Sequence, residues 1–266
     1  VILEVLKVTK TFVLGAERLV ALDGLDLCLA EGDFATVIGS NGAGKTTLLN
    51  VIAGTYRPDR GQVRLAGRDV THWPAHRRAH LIGRVFQDPL QGTAAQMTVA
   101  ENLALAAKKG RRGLGPLLSA HRRRTLAETV AGLGMGLERR LSEKVAHLSG
   151  GERQALTVLM ATMTKPKLLL LDEHTASLDP ANAEKVLAIT EKLVAENHIT
   201  TLMVTHRMDQ ALQVGNRLIM MHKGRIVLDL GAKEKRGLKV EDLVELFRRV
   251  GVCDDALLLG QGLAVG

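Results

Sequence analysis

The sequence predicts an α/β protein: a parallel sheet covered by helices, with an all-helical insertion near the middle of the chain. Three observations carry that prediction. Strand-like and helix-like segments alternate from 168 to 213, the pattern of parallel strands joined by crossover helices. Ahead of them, the apolar run Ala35-Thr-Val-Ile-Gly leads into a glycine-rich loop and then a helical pattern. Between the two, from 98 to about 147, apolar residues recur at helical spacing.

In chain order, the first third reads as short strands with tight turns. Leu3-Glu-Val-Leu-Lys-Val, 20–29 and 35–39 are strand-like, and Glu31-Gly32-Asp33 is a turn signal. A helical pattern runs from Gly44 to Gly54, Arg57-Pro-Asp-Arg-Gly61 turns, and Gln62-Val-Arg-Leu is a short strand. Composition changes near Asp88, and the helical stretch that follows is interrupted by a basic, Gly-rich linker at 108–113. Then come a strand at 168–171, a helix at 180–197, a strand at 200–204 and a helix at 208–213. Segments 217–221 and 225–230 flank His222-Lys-Gly224 as a closing hairpin, and 240–249 is a short amphipathic helix. The organisation expected is a single domain. Its core is 1–88 with 148–232, its helical insertion 89–147 and its C-terminal helical tail 233–266.

Composition narrows the function classes. With 46% hydrophobic and 24% charged residues the chain is of the globular class. Aromatics are only 2%, so the core is aliphatic and a surface that stacks many bases is not expected. The net charge of +8 favours an anionic partner without naming one. Cys28 and Cys253 lie far apart and form no ligand or redox pair, which points to a reducing compartment. No apolar run reaches the roughly 18–20 residues of a membrane span. The first residues lack the basic region and cleavage site of a signal peptide.

Three motifs carry chemistry. Gly39-Ser-Asn-Gly-Ala-Gly-Lys-Thr46 fits G-x-x-x-x-G-K-[ST] and has the required context, an apolar strand before it and a helix after. Its glycines let consecutive N–H groups point at phosphate oxygens, at the positive end of a helix dipole. Lys45 suits the β- and γ-phosphates, and the Thr46 hydroxyl suits Mg²⁺. A chance match arises in roughly one chain in a hundred of this length, so phosphate binding is the reading kept. Leu168-Leu-Leu-Leu-Asp172-Glu173 is an apolar strand ending in two acids, as at a ligand crevice. Asp172 is the candidate Mg²⁺ ligand and Glu173 the candidate general base. Leu148-Ser-Gly-Gly-Glu152 opens a helical run, either as an anion-binding nest or as a plain N-cap with flexible glycines.

From about residue 3 to residue 230 the chain resembles the ATP-binding subunits of ABC transporters. Besides the three motifs, the resemblance rests on Gln87 in Val85-Phe-Gln-Asp-Pro89, Ser177-Leu-Asp179, His206 in Val204-Thr-His, and an aromatic, Phe12, near the N-terminus. It implies a P-loop NTPase core with a parallel sheet, an N-terminal antiparallel β subdomain and an inserted all-helical subdomain. It implies ATP and Mg²⁺ as cofactors. ATP would be held by Gly39, Ser40, Asn41, Gly42, Ala43, Gly44, Lys45, Thr46 and Thr47, with Phe12 stacking on adenine. Thr46, Gln87 and Asp172 would serve the metal; Glu173, His206 and Gln87 would serve hydrolysis. Ser149, Gly150, Gly151 and Glu152 would meet the γ-phosphate held by a partner subunit, with Asp179 joining across that interface, so that two chains sandwich two nucleotides head to tail. Separate permease subunits and an extracytoplasmic substrate-binding protein are the implied partners, at the cytoplasmic face of the inner membrane, with import as the direction.

Other readings remain beside these. Phe12 is either the adenine platform or a core residue on an early strand. His72, His76, His80 and His121 sit among arginines without metal spacing and read as a solvated face; Tyr56 and Trp73 read as packing residues. Most relatives carry Pro after the catalytic Glu, whereas His174 stands here, in a DEHTA string similar to a subgroup for which aromatic amino acids have been suggested as solute. The alternative function is an ABC-type ATPase acting on nucleic acid or the ribosome, which the positive charge would suit. The family's nucleic-acid members, however, usually carry paired cassettes or coiled coils, and neither is seen here. No nucleic-acid partner is expected.

Overall fold

The computed structural model describes residues 1–107 and 118–249; the basic linker at 108–113, Cys253 and the rest of the tail after 249 lie outside the described residues. In chain order the elements begin with β1 (Leu3–Leu14), β2 (Glu17–Leu29), β3 (Phe34–Gly39), α1 (Lys45–Ala53), β4 (Arg60–Leu65), β5 (Arg68–Asp69) and α2 (Ala75–Arg78). They continue with β6 (Ile82–Val85), α3 (Val99–Ala106), α4 (Ala120–Ala131), α5 (Gly150–Thr162), β7 (Leu168–Asp172) and α6 (Pro180–Asn197). The remainder is β8 (Thr200–Val204), α7 (Met208–Gln213), β9 (Arg217–His222), β10 (Arg225–Leu230), α8 (Ala232–Lys235) and α9 (Val240–Arg249). These fall into two compact units, Val1–Ile82 with the chain from Thr200 onward, and Gly83–Ile199.

The first unit holds an antiparallel sheet in the order β2-β1-β4-β5 and a run of strands in the order β10-β9-β3-β8. In the antiparallel sheet Leu3, Val5, Leu27, Leu29, Val63 and Leu65 are buried, so one face of the pleat builds core. β3 pairs in parallel with both β8 and β9, and β9 turns back antiparallel into β10. Every residue of β3 and β8 is buried, as strands covered on both faces require. The one buried hydroxyl of β3, on Thr36, donates to the carbonyls of Ala211 (3.0 Å) and Arg217 (3.1 Å). The tail helix α9 forms as its pattern predicts, burying Leu243 and Phe247 one turn apart beside Met208 and Met220.

Arg78 is a structural arginine of this unit. Fully buried, it donates to the carbonyls of Val51, Ile52, Thr71 and Trp73, and burial lowers its pKa to about 10. The two α1 carbonyls among these, close to its C-terminus, are a favourable place for a cation. Trp73 is half-buried under the Arg77 guanidinium (3.9 Å), a packing role of the expected kind. His72, His76 and His80 are exposed.

The second unit carries the helical insertion. α3 and α4 share an aliphatic core with α5, including Val99, Leu103, Leu126, Val130, Leu156 and Leu159. Thr98 caps α3 through a reciprocal pair with Glu101. The buried Asn102 holds the preceding loop, exchanging hydrogen bonds with the Ala94 backbone (2.8 and 3.0 Å). β6 and β7 are neighbouring strands, and β7 is buried along its whole length. Among the described residues no helix is long and apolar enough to cross a membrane.

Candidate functional site

In the first unit, β3 ends at Gly39 and α1 begins at Lys45; the chain between them curls. Glycine is obligatory at both ends of that curl. Gly39 has φ 152° and a Cβ there would lie 2.2 Å from the Met221 carbonyl oxygen. Gly44 has φ 98° and a Cβ would lie 2.3 Å from the Ala21 oxygen. Gly44 is also the N-cap of α1 and brings no side-chain cap, so the first N–H groups of the helix take no partner from it. Lys45 is buried to 6% exposure, and its ammonium folds back to donate to the carbonyls of Gly39 (2.6 Å) and Ser40 (2.9 Å). Ser40 and Ala43 are buried, Asn41, Gly42 and Thr46 are exposed, and Thr47 is half-buried. The result is a cationic, donor-lined curl at a helix N-terminus, chemistry suited to phosphate.

Phe12 belongs to the same unit and is half-buried on β1, opposite Leu19, so the core alternative is not what the structure shows. Tyr56 meets it edge-to-face at 5.3 Å and 75°, and the Lys10 ammonium stands 5.5 Å from its ring centre. Tyr56, expected as a packing residue, is exposed, its partner being this ring. Val13, Leu19 and Val20, the apolar neighbours of Phe12 on the hairpin, are exposed too. His206 follows β8 and is exposed, on a turn held by Thr205, whose hydroxyl oxygen accepts from the Arg207 N–H (3.1 Å).

The second unit carries the remaining residues. Asp172 ends β7, buried; Glu173 follows, half-buried, at φ +44°, and its carbonyl closes a turn with the Ala176 N–H (2.9 Å). A left-handed glutamate costs about 1 kcal/mol, a strain typical of functional turns. His174 is buried at 1% exposure with Nε2 3.2 Å from the Thr190 Oγ1 of α6. The Thr190 hydroxyl donates to Val186 O (2.7 Å), so its oxygen accepts from His174 Nε2–H. Burial lowers the pKa of His174 to about 4.

Gln87 is exposed just after β6, while the buried Gln154 of α5 donates to the Phe86 carbonyl beside it (3.3 Å). Ser149 and Glu152 form a reciprocal capping box on α5: the serine oxygen accepts from the Glu152 N–H (3.3 Å) and the glutamate from the Ser149 N–H (2.8 Å). The other Glu152 oxygen pairs with Arg140 (2.5 Å), which also grips Glu143 and is thereby held charged. The N-cap reading of this motif is thus realised, and Gly150 and Gly151 occupy the next two helical positions. Asp179 caps α6, accepting from Asn182 N–H (3.0 Å) and Nδ2 (2.6 Å), bonds that hold its carboxyl below the usual range. Gln154 and Thr190 are polar neighbours of these residues that the sequence does not reveal, for their partners, Phe86 and His174, lie 68 and 16 positions away along the chain.

Among the described residues no cluster of three or more His, Cys, Asp or Glu could cage a metal by itself. The second unit offers a buried carboxylate at 172 and an amide at 87, and the first unit a hydroxyl at 46; each by itself is a hard oxygen donor of the kind Mg²⁺ takes beside substrate phosphates.

Comparison with known proteins agrees with this chemistry. The family model described as ABC transporter matches residues 22–176. A tyrosine transport ATP-binding protein of Clostridioides difficile is 45% identical over 225 residues, 85% of this chain and 90% of that protein. A sulfate/thiosulfate import ATP-binding protein of Chromobacterium violaceum is 37% identical over 77% of this chain, and the chain spans only 53% of that longer relative. Among solved structures, the ADP conformation of an ATP-binding cassette of an ABC transporter aligns with TM-score 0.76 at 28% identity, covering 95% of this chain and 99% of that one. A dimeric cassette in a post-hydrolysis state bound to ADP and Pi aligns with TM-score 0.75 at 29% identity, covering 89% and 100%. The chain belongs to the ABC transporter family, as an ATP-binding, ATP-hydrolysing subunit.

Proposed function

We propose that this ABC transporter subunit hydrolyses Mg²⁺-bound ATP to drive import of a small solute, in the amino-acid class, through permease subunits on other chains. The observation that carries the ATP chemistry is the curl at 39–44, shaped so that only glycine fits its ends and closed by a lysine already turned onto it. The tyrosine transport relative, matched over nearly its whole length, supports the solute class.

In this reading Phe12 stacks on adenine and residues 39–47 bind the phosphates. Lys45 exchanges the Gly39 and Ser40 carbonyls for β- and γ-phosphate oxygens, a charge-assisted replacement of neutral acceptors. Thr46, Gln87 and Asp172 supply oxygen donors to Mg²⁺, which neutralises charge on the phosphates when bound. Glu173 takes a proton from the attacking water, and His206 donates to the γ-phosphate. Ser149, Gly150, Gly151 and Glu152 of one chain meet the nucleotide of a second copy, with Asp179 alongside. A dimeric solved relative bound to ADP and Pi supports that arrangement. The subunit then sits peripherally on the cytoplasmic face of the membrane, with a substrate-binding protein on the other side. The nucleic-acid alternative is set aside, since the relatives matched over most of the chain are transport and import proteins.

Glu173→Gln tests the reading. Loss of the base at an intact nucleotide site lowers turnover by about 10²- to 10⁴-fold. The variant should dimerise with excess ATP and Mg²⁺ in light-scattering chromatography. A variant that stays monomeric with ATP bound would sink the sandwich, and one that still turns over at the wild-type rate would remove Glu173 from the chemistry.

A further inference from the structure

β6 and β7 are neighbouring strands, and each brings one charged side chain to the region where β7 ends. Gly83 of β6 is pressed against α5, where a Cβ would come within 2.5 Å of the Ala161 oxygen, so by strand alternation Arg84 points the other way. Its guanidinium lies 3.8 Å from the Asp172 carboxylate, with the two side chains only 16% and 13% exposed. Its central carbon also stands 4.5 Å from the ring centre of Phe86, two residues on along the same face. At 3.8 Å the pair is within Coulombic reach but too far apart for a hydrogen bond.

We propose that Arg84 is a positioning residue that sets the metal affinity of Asp172 and makes metal capture depend on the nucleotide. The inference rests on the Mg²⁺–ATP reading above. A fixed cation beside a metal ligand opposes a second cation there, and with both side chains largely buried bulk solvent screens it weakly. Mg²⁺ alone is therefore disfavoured at Asp172, whereas Mg²⁺ arriving on a polyphosphate brings the negative charge that offsets Arg84. The ring of Phe86 keeps the guanidinium in place, one residue from Gln87, so the cation that tunes the carboxylate is anchored to the segment bearing the second metal-directed donor.

The test is binding, without turnover. A fluorescent ATP analogue is titrated into full-length protein in EDTA and over a range of Mg²⁺ concentrations. Arg84→Met, near in length and neutral, should leave affinity in EDTA within about twofold and lower the half-saturating Mg²⁺ about tenfold. Arg84→Lys, which keeps the charge, should stay near wild type. In an Asp172→Asn background the Arg84→Met effect should vanish, as coupling through that carboxylate demands. Should Arg84→Met not fold, Arg84→Gln takes its place in the same titrations. An unchanged Mg²⁺ requirement, equal shifts in the Lys and Met variants, or an effect that survives Asp172→Asn each overturns the proposal while leaving the Mg²⁺–ATP reading standing. A wild-type protein whose nucleotide affinity ignores Mg²⁺ overturns the proposal, and one that hydrolyses ATP equally fast in EDTA overturns the Mg²⁺–ATP reading as well.

Discussion

The segments around the phosphate loop and those around Asp172 keep their shapes by opposite means. In the loop at 39–44 the backbone does most of the holding, with only the Lys45 ammonium donating into it from a side chain. Gly39 and Gly44, at its ends, adopt positive φ in places where no Cβ fits, and the helix that follows has no side-chain cap. In the second unit side chains do the holding: Ser149 and Glu152 cap each other, Asp179 caps α6, and His174 pins the Glu173 turn to Thr190. The difference teaches where each is vulnerable. A backbone-held segment tolerates no added carbon at its glycine ends. A side-chain-held segment tolerates substitution in graded steps and answers to pH.

The comparison breaks most severely at Gly44. Gly44→Ala forces a Cβ to within 2.3 Å of a backbone oxygen at φ 98°. We expect a loss of about 2–4 kcal/mol in chemical unfolding together with loss of measurable ATP binding. A variant that binds ATP normally would show that the curl is not held by its glycines.

His174 sharpens the other side. Burial lowers its pKa from 6.5 to about 4, so the folded state binds fewer protons than the unfolded one between those values. Stability present above pH 6.5 is then lost as pH falls towards 4, by about 3 kcal/mol in all. His174→Gln offers an amide N–H to Thr190 and no titration. Urea unfolding of the two proteins at stepped pH should show a flatter acid limb for the variant, and parallel limbs would contradict the assignment.

The smallest effect belongs to the cap of α5. Ser149→Ala removes one reciprocal bond and should lower stability by about 1 kcal/mol, with nucleotide-free structure intact by circular dichroism. A destabilisation matching that of Gly44→Ala would erase the distinction between the two kinds of support.

How much was legible in the sequence follows the same division. The phosphate loop could be read directly because its requirements are local: residue types at fixed spacing between a strand and a helix. The closing hairpin and α9 were legible for the same reason, their patterns being short and periodic. The four-residue strand β6 and the one-turn helix α2 were not, since so few residues carry no period. Tyr56 read as packing, but the ring it meets, Phe12, lies on a strand far away in sequence.

By itself, then, the sequence determined the chemistry on offer: a phosphate-binding curl, a buried strand ending in two acids, and a glycine-led helix start. Only the tertiary structure decided which groups stand beside them. Arg84 lies near Asp172 because β6 and β7 are neighbours, and Gln154 reaches Phe86 across 68 positions of chain. Loop and cap propensities act within a few residues and are written locally. A charge 3.8 Å from a carboxylate is a product of strand order, and strand order is settled by burial of the whole sheet.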